Sequence, residues 1–391
     1  MKFAISLQEL QKTLIKILPA IPPKATLPVL EHIHLTLEGN NLFFAATNQD
    51  IFVKSELSVE GIEDGSVLVP ARKLNEVVKA LGLKGNIDFE VNLEFDITIR
   101  TSMGKYSMKG ISIDEYVDLP ELFEIPKPDI ELIQNSESNE NSAFISKETI
   151  SEIGNKTFFA VSDDDYRPAM TGVLFQFRGD KIIAVSTDSF RLVKIVKNYE
   201  KANLPQMMDV IIPAQTIDLL RKSDTDIVMT TITNMNNKVT HIRFDIGTTV
   251  IVSRVIDEKF PPYDSVIPKE NTKIVITDKS MLLDAIKRVS LFVNQISKQL
   301  VIKINESTLE VFGQDQDTGY AGSEIIGCDY VGDSFQSGFN YSFLIEALNH
   351  LDTSDEGKVF LTFSEPTRPA LLMADPVGEN QLMLIMPVRI S

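Results

Sequence analysis

The sequence predicts an α+β protein made of three copies of one unit, each with two helices packed on strand-rich sheets. Three observations lead there: a strand–cap–helix opening that recurs at separations of 140 and 132 residues, a hairpin after each of those helices, and a second helix beginning at a strand end. Self-similarity on that scale fixes the organisation before any local detail is read. The length of 391 residues is compatible with three domains of roughly 100–200 residues each. The boundaries are expected near Lys127 and Asn271, giving domains 1–127, 128–270 and 271–391, with the polar stretch from Asn135 to Asn141 as a linker or surface loop.

The first copy opens with Met1 to Ser6 and a helix through Leu7, Leu10 and Leu14. The second has Ala143–Phe144–Ile145 ahead of Ser146, and the third has Lys273 to Thr277 ahead of Asp278 with a helix through Leu282, Leu283, Ile286 and Val289. Ser6, Ser146 and Asp278 suit an N-cap, because their side-chain oxygens can accept from the free N–H groups of a first turn. Glu9 three residues after Ser6 adds a capping-box pattern. The hairpins that follow are His32 to Leu37 with Leu42 to Ala46, Gly172 to Phe177 with Lys181 to Val185, and Leu300 to Ile304 with Thr308 to Phe312. Their apolar residues alternate with period two around short polar turns. The second helices start at Pro70–Ala71, Pro213–Ala214 and Asn340–Tyr341, with proline placed in the first turn, where a missing N–H costs nothing. Long strands are expected over Ile87 to Thr101, Val239 to Ile256 and Val359 to Met386.

Composition narrows the function classes. With 43% hydrophobic residues and 22 phenylalanines the chain is expected to bury a real core, and a single Cys, Cys328, excludes a disulfide framework and a multi-thiolate metal site. The start lacks the apolar stretch of a signal peptide and no apolar run reaches the ~18 residues that span a bilayer, so a soluble, cytoplasmic protein with no membrane partner is expected. The net charge of −17 argues against simple electrostatic capture of nucleic acid. It is unevenly spread: the helix windows 6–20, 70–84, 146–160, 213–224, 278–289 and 340–351 hold thirteen Lys or Arg against nine Asp or Glu, so the acid lies on strands and loops. Strand-rich units with open edges protect them by pairing edge to edge, which makes a ring natural. Six helices ~10 Å across would line a bore of only ~9 Å, and twelve, from two chains, one of ~28 Å that admits a duplex.

Several pieces then resemble the bacterial DNA polymerase III beta-subunit family, the sliding clamps, in that family's order: Met1–Lys2–Phe3, Thr26 to Leu30, Val69 to Leu74, Ser186–Thr187–Asp188 with Arg191–Leu192, Lys259 to Tyr263, Gly338–Phe339–Asn340, and Met386 to Ile390. The resemblance covers essentially the whole chain. It implies three clamp-type domains forming half of a closed dimeric ring, a head-to-tail homodimer that encircles double-stranded DNA without reading sequence and tethers polymerase without catalysing anything. The implied partners are the DNA polymerase III alpha subunit, the clamp loader and other proteins carrying a clamp-binding motif; no cofactor is expected.

Carried over residue by residue, the resemblance implies duplex contacts at Lys24 and Arg72. Middle-domain contacts are expected to be weak, since Ala214 and Gln215 stand where relatives are often basic and the DNA-facing loop carries Asp163, Asp164 and Asp165. A partner-peptide groove is implied at Arg167, Met170, Gly172, Thr187, Ser189, Phe190, Arg191 and Leu192, at Pro261 and Val266, at Asn340 and Phe343, and at Ile385, Met386, Pro387, Val388 and Arg389. Ser189 and Phe190 replace a frequent Gly and His, so motif preference is expected to differ, and Ser391 extends past the family's usual end. Independently of family, the methionines of Leu382 to Pro387 suit an adaptable surface, and Pro387, which lacks a ladder donor, suits a sheet edge. A subunit junction is implied between Tyr106 with Met108 on a first-domain edge strand and Leu291 with Phe292 of the partner's third domain.

Catalytic alternatives are poorly supported. His32 and His34 share a strand face but have no nearby carboxylate or thiol in a ligand pattern. Asp163 to Asp165 with Asp188 reads as an acidic surface loop before a magnesium site, and Asp315 to Gly319 lacks the length and final Glu of a calcium loop. No catalytic or metal-binding residue is therefore expected. Two other readings stand beside the clamp: a strand-rich hydrolase with a dispersed site, and a repeat-built protein-interaction scaffold that never meets DNA.

Overall fold

The computed structural model describes residues 1–22, 24–25, 27–116, 141–198, 205, 207–354, 356–375 and 380–390. Pro23, Thr26, Lys127, the stretch 135–140 and Ser391 lie outside them. In chain order the first repeat holds β1 (Lys2–Ser6), α1 (Leu7–Ile17), β2 (His32–Glu38), β3 (Asn41–Thr47), β4 (Ile51–Ser58), β5 (Glu60–Glu63), β6 (Gly65–Pro70), α2 (Ala71–Leu81), β7 (Asn86–Val91), β8 (Asp96–Arg100) and β9 (Lys105–Lys109). The second holds β10 (Ser142–Ile145), α3 (Lys147–Thr157), β11 (Gly172–Phe177), β12 (Lys181–Thr187), β13 (Arg191–Asn198), β14 (Met208–Pro213), α4 (Ala214–Leu220), β15 (Ile227–Thr233), β16 (Val239–Ile246) and β17 (Thr249–Arg254). The third holds β18 (Lys273–Asp278), α5 (Lys279–Val289), β19 (Gln299–Asn305), β20 (Thr308–Asp315), β21 (Tyr320–Gly327), β22 (Phe335–Asn340), α6 (Tyr341–His350), β23 (Lys358–Phe363), β24 (Ala370–Met373) and β25 (Gln381–Ile385).

The described contacts divide the chain into two compact units, and the second repeat contributes to both. One unit contains a five-stranded sheet, β5-β1-β7-β8-β9, and an eight-stranded sheet, β10-β15-β16-β17-β4-β3-β2-β6. In the larger sheet β17 runs antiparallel to β4, with Ile251 opposite Val53, so strands of two repeats form one ladder. Its helices α1 and α2 pack together, α1 burying Leu7, Leu10, Leu14 and Ile17 at helical spacing, each worth about 1.5–3 kcal/mol of apolar burial. Phe3 stacks on Phe89 at 4.9 Å between β1 and β7. The other unit repeats the plan with an eight-stranded sheet, β14-β11-β12-β13-β25-β24-β23-β18, and a four-stranded sheet, β21-β20-β19-β22. Here β13 pairs with β25, Val193 opposite Met383. Leu174, Leu192, Phe260, Tyr263, Leu371 and Leu384 belong to one buried cluster across that ladder.

The repeat extends to turn chemistry. After β3, Thr47 Oγ1 accepts from Gln49 N at 2.8 Å and Asn48 Oδ1 from Ile51 N at 2.8 Å. After β12, Thr187 Oγ1 accepts from Ser189 N at 3.2 Å and Asp188 Oδ1 from Arg191 N at 2.9 Å. Gln49 and Ser189 both sit at φ +78°, so the copies share a left-handed residue as well as its supports.

Four expectations are corrected. Each long strand is broken: the first at Asn92 to Phe95, the second at Gly247, the third between β23, β24 and β25. The capping box of α1 does not form; Ser6 is a ladder residue of β1 opposite Asn86, and Glu9 pairs with Lys12 instead. The caps of α3 and α5 do form, with Thr149 N donating to Ser146 Oγ at 3.2 Å and Met281 N to Asp278 Oδ1 at 2.8 Å. Pro70 and Pro213 end strands just before their helices and do not occupy the first helical turn. Finally, the Leu382 to Ile385 segment is no edge: β25 lies between β13 and β24 with every residue buried, and Pro387 falls beyond the strand, where no ladder donor is needed.

Candidate peptide-binding site

The turn between β12 and β13 positions the centre of the site. Asp188 and Thr187 fix its backbone, which lifts Ser189 and Phe190 to the surface, Phe190 being 57% exposed, and sends Arg191 back into the fold. The Arg191 guanidinium donates through Nε to Asp188 Oδ2 at 3.0 Å, through Nη2 to the Phe159 carbonyl at 2.5 Å, and through Nη1 to Glu346 on α6. Its carbon lies 5.1 Å from the centroid of the Phe159 ring and 4.6 Å from that of Phe343. Two ring faces and three acceptors hold one cation, an arrangement that suits the planar, weakly hydrated guanidinium and would not suit lysine. Phe343 in turn stacks near Phe190 at 6.2 Å.

A second arginine closes the other side. Arg167 Nε donates to Asp164 Oδ2 at 2.8 Å and Nη1 to Ser189 Oγ at 2.6 Å, and Ser189 Oγ donates to Met170 Sδ at 3.5 Å. The Arg167 hydrogen bond holds the Asp164 carboxyl below the usual aspartate range. Between these groups lies an open hollow of ≈ 690 Å³ lined by Arg167, Phe190, Arg191 and Phe343 together with Phe158, Phe159, Asp163, Asp164, Asp188 and Glu346. An aromatic wall with a few fixed charges is what binds an apolar side chain in a set orientation.

The remaining predicted groove residues fall into four places. Gly172, Leu192 and Ile385 are buried strand residues, and Thr187 is 7% exposed, so they support the surface without lining the hollow. A Cβ on Gly172 would stand 2.5 Å from the Ile212 carbonyl, which explains the glycine by packing. Pro261 is half-buried, and Val266 is exposed on a second hollow of ≈ 660 Å³ bordered by Asn271 and Arg368. Beneath, burial pushes the Tyr263 phenol up to about 12 while its hydroxyl donates to Gln176 Oε1 at 2.6 Å. Asn340 caps α6, accepting from Ser342 N at 2.9 Å, and so sets the helix that carries Phe343.

The tail from Met386 to Arg389 is tied to the same surface. Met386 N donates to the Phe190 carbonyl at 2.8 Å, Val388 N to the Gly338 carbonyl at 2.8 Å, and Gln299 Nε2 to the Arg389 carbonyl at 2.8 Å, while Pro387 is half-buried. A Cβ on Gly338 would meet the Val388 carbonyl at 2.8 Å, so this glycine makes room for the tail.

Sequence reasoning missed Phe159, Glu346 and the place of Asp163 and Asp164, which border the hollow. A signal for Phe159 existed: a short 3-10 turn follows the first helix of every repeat, at Leu18–Ala20, Phe158–Ala160 and Ser290–Phe292, so Phe159 stands where the third repeat has Leu291.

The other predicted residues lie elsewhere. Lys24 is exposed, and Arg72 at the start of α2 is exposed and donates to the Pro22 carbonyl at 3.1 Å, holding the loop that carries Lys24. Tyr106 and Met108 lie on β9, the outer strand of the five-stranded sheet, with Tyr106 41% exposed. Leu291 and Phe292 are 75% and 43% exposed beside β21, the outer strand of the four-stranded sheet. Among the described residues no cluster of three or more potential metal ligands occurs, and no helix is long and apolar enough to cross a membrane.

Comparison with known proteins agrees along the chain. Residues 1–120, 144–262 and 264–389 match, in order, the N-terminal, central and C-terminal domains of the DNA polymerase III beta subunit. The chain belongs to the DNA polymerase III beta-subunit family. It is thus a sliding clamp of three clamp domains, a non-catalytic subunit that serves processive DNA replication. It is 25% identical over 405 residues to the beta sliding clamp of Bacillus subtilis and 26% identical over 393 residues to that of Pseudomonas putida, covering all of both chains. Solved beta subunits bear out the fold: the Pseudomonas aeruginosa sliding clamp bound to griselimycin (TM-score 0.83, 23% identical) and the Thermotoga maritima beta subunit (TM-score 0.85, 18% identical) each match over the full length of both chains.

Proposed function

We propose that two copies of this chain close head to tail into a ring around duplex DNA and tether the replicative polymerase in the cytoplasm, with domains bounded near residues 127 and 270. The observation that carries the reading is the pair of open sheet edges: β9 ends one sheet beside Tyr106 and Met108, and β21 ends another beside Leu291 and Phe292. Unpaired ladders with exposed apolar anchors call for a strand partner, and a heterologous pair of edges closes into a ring when the rotation allows. Lys24 and Arg72 supply exchangeable phosphate contacts. A ring that slides gains from few and weak contacts, since every fixed one is a barrier to translation, and enclosure makes a net charge of −17 tolerable.

The hollow between Arg191 and Phe190 is the docking point for short linear segments of the polymerase alpha subunit, the clamp loader and repair proteins. Its aromatic wall and the tethered tail support that role, and griselimycin bound to the Pseudomonas aeruginosa clamp accords with a ligand-binding surface in the family. The test couples mass in solution to retention on plasmid: a dimer that stays on closed circles after loader-dependent loading and runs off once the circle is cut is the expected result. A monomer, or loss from intact circles as fast as from linear DNA, refutes it.

A further inference from the structure

The charge of the hollow is lopsided. Asp163, Asp164, Asp188 and Glu346 border it against Arg167 and Arg191, four carboxylates to two guanidiniums, which leaves two negative charges uncompensated. Both arginines are already paired with carboxylates of the hollow, Arg191 with Asp188 and Glu346 and also with the Phe159 carbonyl, Arg167 with Asp164 and also with the Ser189 hydroxyl, so the charge of each is largely offset before a ligand arrives. Asp163 is exposed and has no hydrogen-bond or ion-pair partner among the described residues. Among the described residues Glu346 is bonded only through Oε2, and its side chain is 45% exposed, so Oε1 stays available. Beside these acceptors stands the Phe190–Phe343 pair, with Phe190 largely exposed.

We propose that this groove selects partner segments that set a lysine or arginine next to their apolar anchor, the apolar side chain packing on Phe190 and Phe343 and the cation facing Asp163 and Glu346. The proposal rests on the reading of the hollow as a peptide site and adds the chemistry of its ligand. An acidic residue in the same place would meet two carboxylates and only guanidiniums already paired with carboxylates, so the site discriminates by repulsion as well as attraction. Each such exposed pair is modest, so the expected selectivity of lysine over glutamate is about fivefold at low salt.

Labelled hexapeptides with a fixed Leu-Leu-Phe anchor, and Lys, Gln or Glu scanned through the other three sites, would be titrated onto the full chain by fluorescence anisotropy. At one guest site Lys should bind about fivefold tighter than Glu with Gln between them, and the spread should collapse in about 0.5 M salt. Asp163→Asn should shrink the Lys-to-Glu ratio, and an unchanged ratio in that variant overturns the role of Asp163. Equal affinities at every guest site, or Glu binding tightest, overturns the charge preference while the peptide site stands. Failure of every peptide, Gln included, overturns the peptide site and the preference with it.

Discussion

The guanidinium of Arg191 lies 4.6 Å from the ring centroid of Phe343 and donates to the carbonyl of Phe159 at 2.5 Å. One cation thereby joins the strand that follows the β12–β13 turn to α6 and to the short turn after α3, segments far apart in sequence. Replacing it by an apolar residue of similar length strands Asp188, whose side chain is 15% exposed, and the Phe159 carbonyl together. Arg191→Met should cost about 2–3 kcal/mol in urea unfolding and weaken peptide capture at least as much. A stability change below about 0.5 kcal/mol would show that the clamp on Phe343 is ornamental.

Ser189 offers a cleaner separation of strain from bonding. Its φ of +78° penalises any side chain, yet its hydroxyl accepts from Arg167. Ser189→Gly should be neutral or up to about 1 kcal/mol stabilising, and Ser189→Ala should destabilise by about 1 kcal/mol, because alanine keeps the strain and loses the bond. Thermal unfolding of the two variants side by side decides it, and equal shifts would count against the account.

The unequal caps make a third test. Asp278→Ala should cost about 1 kcal/mol near neutral pH, whereas Ser6→Ala should change little because Ser6 caps nothing. Hydrogen bonds from Ser280 Oγ and Met281 N depress the Asp278 pKa. A depressed carboxylate contributes stability that is present above its unfolded pKa of about 3.9 and lost as pH falls through the lower folded value. The gap between the wild type and Asp278→Ala should therefore narrow under acid, and a gap that widened would contradict the sign.

At the subunit edge, Phe292→Glu places a charge beside Gly322 on β21, whose missing side chain lets the Phe292 ring approach. Sedimentation equilibrium should show monomers with an unchanged circular dichroism spectrum. An intact dimer would move the junction elsewhere.

Removing residues 386–391 should abolish capture of peptide partners while the dimer persists, because the deleted bonds run to Phe190, Gly338 and Gln299. Undiminished capture would separate the tail from the groove.

The repeat was legible because it is written in residue types with fixed physical roles. Thr47–Asn48 and Thr187–Asp188 make the same turn, and Ser146 and Asp278 the same cap. The strand breaks were not all so plain. Phe95, a bulky residue, takes φ +63° in the first break, held by Asn92 Oδ1 accepting from Glu94 N and Asp96 N, and only Asn92 hinted at it. Gly247 marks the second break, but the β-branched residues around it read as one continuous strand. In the groove, the side chains of one surface turn were readable from resemblance, but Phe159 and Glu346 reach it from helices and turns whose local sequence says nothing about what they will touch. The same limit explains Leu192 and Ile385, whose burial follows from ladder neighbours that no local pattern specifies.

The outer strand β9 carries Lys105 and Lys109 at its two ends, with Ser107 at the middle. Were two such strands from separate molecules to zip together antiparallel about that serine, each lysine would stand opposite another, and like charges facing across a ladder repel. The rim therefore rejects its own twin, and it leaves a newly made, solitary molecule protected from fusing with its sisters along the wrong seam.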